Sequence, residues 1–157
     1  MKLYFYVPLF FFILSSASGA EKNPVPRFVS LRSNEVNSRV GPGPNYPVEW
    51  IYLKAGLPVE VIAEFDNWRR IRDLDGAEGW VHQSMLCSKR HGIIQGSEIL
   101  MYGEQDTKSQ PLVRLDPGVV VDLLKCHKDW CQIRIYDFKG WVQRSCLWGI
   151  YSQEVVG

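Results

Sequence analysis

The side chains with most chemistry to offer in this chain are four cysteines, three histidines and six tryptophans. Cys126 and Cys131 flank the run His127-Lys128-Asp129-Trp130, a loose zinc spacing. Cys87 and Cys146 form no second knuckle, and His82, His91 and His127 do not cluster, so no metal is expected. A thiol nucleophile needs a histidine within hydrogen-bond reach. Cys126 and His127 are sequence neighbours, and on a strand neighbours diverge. The chain holds no Gly-x-Ser-x-Gly, no His-Glu-x-x-His and no Gly-rich phosphate loop. Neither catalysis nor a cofactor is expected.

The tryptophans suit binding better. Trp68 and Trp130 each precede an isoleucine, Ile71 and Ile133, by three positions. An odd separation along a strand puts side chains on opposite faces, so a core Ile71 turns Trp68 outward. A bulge between them would undo that parity. Tyr46, Trp50 and Tyr52 precede Trp68 in sequence, and these four are the candidate ligand-binding set. For Trp68, ligand contact and plain packing remain equal readings. Trp130 is read as structural, packed between units or over the end of one. Trp80 and Trp141, both in Gly-Trp-Val, are also read as structural, the glycine allowing close backbone approach. Arg69, Arg70 and Arg72, with Lys89-Arg90-His91 further on, read as a solvated strand face balanced by Glu60, Glu64, Asp66 and Asp73.

The elements that must position these residues occur twice. Ala55 to Ile62 matches Pro117 to Leu124, and Asn67 to Arg72 matches Asp129 to Arg134, both offset by 62. Gly79 to Leu86 then matches Gly140 to Leu147, offset by 61. Two copies are too few for a solenoid and make two small domains, 30–88 and 92–150, with Ser88 to Gly92 between them. Each copy reads as short strands: Val59 to Glu64 or Val119 to Leu124, then Trp68 to Arg72, then Gly79 to His82. Asp75-Gly76 signals a hairpin. No window sustains helical periodicity, although Ser84-Met85-Leu86 suits one 3₁₀ turn. Several strands in so few residues predict an all-β small barrel in each copy.

Composition agrees with a folded chain: 22% charged and 46% hydrophobic, with formal net charge +1. No broad basic surface is implied, so nucleic acid is not an expected partner. Residues 1–20 read as a secretory signal peptide: Lys2, an apolar run from Leu3 to Leu14, then small residues to Ala20. The run is too short to span a bilayer as a helix. Cleavage removes one charge, taking the net from +1 to zero, and spares every tryptophan and cysteine. A periplasmic or secreted protein without a membrane span is expected.

The segment Val36-Asn37-Ser38-Arg39-Val40-Gly41-Pro42-Gly43-Pro44-Asn45-Tyr46, followed by the Trp and Gly-Trp-Val blocks, resembles the bacterial SH3-like (SH3b) family. Ser38 stands where that family usually has Val. The second copy keeps the Trp and Gly-Trp-Val blocks, while its opening, Ile99 to Glu104, lacks Gly-Pro-Gly. The ending Leu147 to Tyr151 and the segment Cys126 to Cys131 are similar to a tandem periplasmic subgroup of alphaproteobacterial type. The resemblance implies two tandem SH3-like barrels and a binding role without catalysis. Its implied partner is cell-wall peptidoglycan, or alternatively an envelope protein, for which the chain would act as adaptor or as regulator of a wall hydrolase.

An even cysteine count in an oxidising compartment favours disulfides. The resembled subgroup pairs cysteines at the positions of Cys126 and Cys131. A two-residue hairpin at Lys128-Asp129 would set these two opposite each other. A three-residue turn at His127-Lys128-Asp129 would instead throw them to opposite faces, and it suits a Val121/Leu123/Ile133 core better. Cys87–Cys146 is the remaining pairing, a tie between matching ends of the two copies.

Overall fold

The two sequence copies fold into two antiparallel sheets of seven strands with one strand order. A computed structural model describes residues 23–157, and the expected leader, 1–20, lies outside the described residues. The first copy comprises β1 (Arg27–Leu31), β2 (Val36–Arg39), β3 (Val48–Tyr52), β4 (Pro58–Phe65), β5 (Trp68–Arg72), β6 (Glu78–His82) and β7 (Leu86–Cys87). The second comprises β8 (His91–Ile94), β9 (Ile99–Tyr102), β10 (Pro111–Leu115), β11 (Val120–His127), β12 (Trp130–Ile135), β13 (Phe138–Gln143) and β14 (Leu147–Trp148). The orders are β3-β2-β6-β5-β4-β1-β7 and β10-β9-β13-β12-β11-β8-β14. One 3₁₀ turn per copy, Gln83–Met85 and Arg144–Cys146, leads into the last strand. The all-β reading with two tandem small barrels is what the chain adopts.

Alternation builds each core. Val59, Val61, Ile71 and Val81 are buried with Leu31 and Val36, and Val121, Leu123, Ile133 and Val142 with Ile94 and Met101. Asp75-Gly76 does lie between two strands, but inside a five-residue loop, 73–77, instead of a tight turn. Asp73 holds that loop, its carboxylate accepting from the N–H groups of Asp75 and Ala77 at 3.0 and 2.9 Å. Gly79 and Gly140 are places where a side chain is excluded. A Cβ at Gly79 would strike Ser38 Oγ, and one at Gly140 would lie 2.6 Å from the Tyr102 carbonyl.

The conflict over the second hairpin is resolved by a bulge. The loop is Lys128-Asp129, with Lys128 at φ 51°, and Cys126 stands opposite Cys131. The register slips between Leu123 and Lys125, which leaves Leu124 as an extra residue. That one residue changes the parity of β11. Val121, Leu123 and Cys126 therefore all face inward, and the two-residue loop coexists with the core. The first copy carries the same slip between Val61 and Ala63.

Cys126 and Cys131 are joined by a disulfide. Their counterparts in the first barrel are Glu64 and Arg69, paired in the same register and joined by an ion pair of 3.0 Å. Arg27 also reaches Glu64, at 2.7 Å. The residue that corresponds to Arg27 in the second barrel is Arg90, which instead holds Glu154 from the C-terminal segment. The expected Cys87–Cys146 bond is absent, and both cysteines are free thiols. The sequence match explains why: Met85 corresponds to Cys146, and Trp148 to Cys87, so the two are not equivalent positions. Cys87 pairs with Ser30 in the first sheet, and Cys146 sits in the 3₁₀ turn of the second.

The barrels meet through side chains. Phe28 packs against Trp148 and Tyr151, ring centroids 5.0 and 4.7 Å apart. The Tyr151 hydroxyl donates to Glu60 at 2.7 Å. His91 joins buried Ser30 at 2.8 Å and Asp122 at 3.2 Å.

Candidate functional site

The four aromatic residues expected to share one face occupy two. Along β5 the pairing with β6 is unbroken from Trp68↔His82 to Ile71↔Gly79, so parity survives and Trp68 faces out while Ile71 is buried. The bulge lies in the neighbouring strand β4. On β3, Trp50 stands opposite Ser38 and Tyr52 opposite Val36. Ser38 and Val36 are buried, so Trp50 and Tyr52 turn to that side of the sheet, Tyr52 within the core and Trp50 beyond its edge and exposed. Tyr52 is a core residue at 7% exposure. Its hydroxyl donates to Asp73 at 3.1 Å. Burial, reinforced by Asp73 and Asp75, pushes that hydroxyl's pKa well above the usual tyrosine range, which keeps it a donor.

Trp68 forms the wall of a cavity of about 330 Å³ on the outer face, with Glu35, Asn37, Arg39, His82 and Met85. The Trp68 and His82 rings meet edge to face at 5.5 Å. Tyr46 lies outside this cavity and shapes it indirectly. Its ring covers Gly41 and Gly43, where a Cβ would press into it, and its carbonyl accepts from Arg39 Nη1 at 2.8 Å. Arg39 and Glu35 form no ion pair among the described residues. The cavity thus offers an aromatic wall, a cation and an anion within one small volume. Sequence reading missed Arg39, Glu35 and Asn37, although the alternation that buries Val36 and Ser38 turns Asn37 and Arg39 outward. Trp50 and Tyr52 line a separate cleft of about 270 Å³ between the barrels, with Asp73, Asp75 and Ile93.

Trp80 stands on the outer face between Arg39 and Arg70. In the second barrel Trp141 stands opposite Tyr102, and Trp130 lies 6.3 Å from the Tyr102 ring on the outer face. Trp148 packs across the seam on Phe28, a place for which the sequence did not single it out. The basic stretch of β5 is matched by carboxylates, partly different ones from those expected. Arg69 meets Glu64, Arg70 meets Glu78, and Arg72 meets Glu60 and Glu78. Asp66 contributes only its carbonyl, and Asp73 serves its own loop.

Ser30, His91 and Asp122 form a serine–histidine–carboxylate chain across the seam. Ser30 has no exposed surface, so no substrate can reach its hydroxyl, and the chain ties the barrels together. Ser84 meets His82 at 2.7 Å, where the His82 ring accepts the first free N–H of the 3₁₀ turn. Among the described residues no group of histidine, cysteine and carboxylate side chains could hold a metal ion. Nor is any helix among them long and apolar enough to cross a membrane.

Two seven-stranded sheets of one topology, each with its core and its Gly-Trp-Val corner, define a tandem small-barrel protein. The sequence profile of the bacterial SH3 domain matches residues 32–87 and again 95–149. The chain belongs to the bacterial SH3 domain family. Among solved structures it is similar to NlpC2 from Trichomonas vaginalis, at 13% identity and TM-score 0.36, over 78% of this chain and 48% of that one. NlpC1 from Trichomonas vaginalis matches at 12% identity and TM-score 0.37, over 82% and 47%. The chain spans about half the length of these proteins. No curated protein matches it. Bacterial SH3 domains are typically binding modules without catalysis, and together with a disulfide they are consistent with an extracytoplasmic protein.

Proposed function

We propose that the protein is a periplasmic or secreted, non-catalytic recognition protein for cell-wall peptidoglycan, and that the first barrel takes the peptide part of that polymer on its outer face. The observation that carries this reading is the Trp68 cavity, where Arg39 and Glu35 flank an aromatic wall. Stem peptides carry carboxylates, ammonium groups and short aliphatic side chains. A guanidinium pairs with the first, a carboxylate with the second, and an indole covers the third. The test is co-sedimentation of the mature protein with insoluble peptidoglycan. Trp68→Ala and Arg39→Ala should each weaken retention by about tenfold, the scale of losing one central contact. Trp130→Ala should not. Failure of the unaltered protein to sediment above a control protein would end this reading.

A second reading, an adaptor for an envelope protein, is favoured by β3. This strand pairs only with β2 and so leaves one edge of the sheet open. It exposes Val48, Trp50 and Ile51 beside Val40 and Tyr46. An open apolar edge is the surface on which a partner strand can be added. Ile51→Lys would abolish capture of such a partner while leaving peptidoglycan retention intact.

A further inference from the structure

Four arginines line one cavity of about 570 Å³ on the first barrel: Arg27 of β1, Arg32 just beyond it, Arg69 of β5 and Arg90 of the linker. Phe28, Val29 and Leu86 line it with apolar surface, and Cys87, a free and partly exposed cysteine, is one of its lining residues. Glu64 meets Arg27 and Arg69, and Glu154 meets Arg90. Arg32 has no ion pair and no side-chain hydrogen bond among the described residues. The cations therefore outnumber the carboxylates that reach them.

The second barrel shows what covers the equivalent place. Arg90 there corresponds to Arg27, Gln95 to Arg32 and Leu147 to Leu86. The chain after β14 meets Arg90 and Leu147, while Gln95 lines an adjoining cavity with Ile150 and Ser152. Glu154 gives its carboxylate to Arg90. The carbonyls of Tyr151 and Glu154 accept from Arg144 Nη1 at 2.7 and 2.8 Å. Ile150 joins the core that holds Leu147, and Val156 forms an antiparallel bridge with Cys126. Arg144 and Arg69 occupy comparable places, since each caps the carbonyl of the left-handed residue in its own hairpin, Lys128 at 2.6 Å and Asp66 at 2.8 Å. One barrel thus holds a peptide, turned at Ser152-Gln153, through a carboxylate on one arginine, two carbonyls on another, and an apolar side chain beneath.

We propose that the arginine cavity of the first barrel binds a carboxylate-bearing peptide on the surface that corresponds to the one the chain's own C-terminal segment covers on the second barrel, with Arg32 taking the carboxylate because Glu64 already holds Arg27. Arg32 supplies the cation for the incoming carboxylate, through the paired donors that a guanidinium offers. Phe28, Val29 and Leu86 receive an apolar side chain. The site is separate from the Trp68 cavity and does not depend on peptidoglycan being the ligand there.

The probe is a synthetic amidated peptide of the sequence 150–157, Ile-Tyr-Ser-Gln-Glu-Val-Val-Gly, added to the full folded chain. Binding is followed by amide NMR shifts and by the rate at which a thiol reagent modifies Cys87 against Cys146. The expected result is saturable shifts at Arg32, Leu86 and Ser88, with Cys87 protected and Cys146 unchanged. The peptide with Gln in place of its Glu should bind at least tenfold more weakly. Arg32→Gln, which installs the second barrel's residue, should weaken binding at least fivefold with no change in the unfolding midpoint. Trp68→Ala should bind the peptide normally, so this result and the sedimentation result stand apart. The proposal is overturned if no saturable binding appears below about 1 mM. It is equally overturned if the Gln peptide binds as well as the Glu peptide, or if inorganic phosphate protects Cys87 as well as the peptide does.

Discussion

Reduction of the Cys126–Cys131 bond and its replacement by two alanines should have separable costs. The bond closes a loop of only six residues, so its restriction of the unfolded chain is worth about 2 kcal/mol. Reduction removes that restraint and no heavy atoms. The double substitution Cys126→Ala/Cys131→Ala also deletes two sulfur atoms from positions with no exposed surface. Each vacancy is about the size of a methyl group and adds about 1 kcal/mol. The alanine pair should therefore lose about 4 kcal/mol, against about 2 kcal/mol for reduction. Urea unfolding followed by tryptophan fluorescence reads both. With a slope near 2 kcal/mol per M, the midpoint falls by about 1 M on reduction and about 2 M in the variant. Equal shifts in the two experiments would show that the sulfur atoms are not packed as the burial implies. A shift below about 0.3 M on reduction would refute the cross-link argument, because the hairpin would then be closed just as firmly without it.

Phe28→Ala removes the ring that Trp148 and Tyr151 pack against, and should cost about 3–5 kcal/mol in global stability, read as a fall in the urea midpoint. Gly79→Ala drives a methyl group into Ser38 Oγ and should cost about 1–3 kcal/mol, whereas Gly76→Ala, which meets open space, is strained only by its φ of 85° and should cost less. His91 carries a pH dependence. Burial, with help from Lys89, lowers its pKa below the usual 6.5, although Asp122 opposes this. The unfolded chain then binds more protons, so this contribution is complete above pH 6.5 and declines as pH falls below it. Asp122 and Glu154 are also lowered, from 3.8 and 4.5, so their losses come at lower pH. His91→Gln should flatten the stability profile between pH 6.5 and 4.5, and an unchanged slope there would place the titration elsewhere.

Repeat, strands and barrel class were legible because each rests on local pattern. Val-rich runs, Gly-Trp-Val and the offset of 62 need no knowledge of tertiary contacts. Trp68 was legible for the same reason, since its strand is regular from Trp68 to Ile71. The grouping of Trp68 with Trp50 and Tyr52 was not, because sequence proximity says nothing about which face of a neighbouring strand is turned inward. Register decides that, and register depends on the pairing of Ser38 with Trp50. The hairpin at Cys126 shows the same limit from the other side. Parity argued against a bond between Cys126 and Cys131, and one extra residue, Leu124, reversed the parity. The Cys87–Cys146 expectation treated ends of copies as equivalent when the alignment already offsets them by two positions.

The two barrels differ most where each must satisfy a partly buried arginine. In the first, Arg27 and Arg69 share Glu64 inside the sheet. In the second, both partners of that arrangement have become cysteines, and a covalent bond needs no counter-ion. Arg90 is then left without an internal carboxylate. A partly buried guanidinium is favoured by an anion beside it, and in the second barrel that anion comes from outside the sheet. The C-terminal segment does so with Glu154, and Arg144 fixes that segment by its carbonyls. The same segment presents Tyr151 to Phe28 and Glu60 of the first barrel. A single exchange of an ion pair for a disulfide therefore accounts for a tail that is bound, and for a seam that depends on it. Glu154→Gln should loosen both at once: the tail amides and the Phe28 ring environment should lose their order together in NMR spectra, while the Trp68 face, anchored only to its own sheet, should not change.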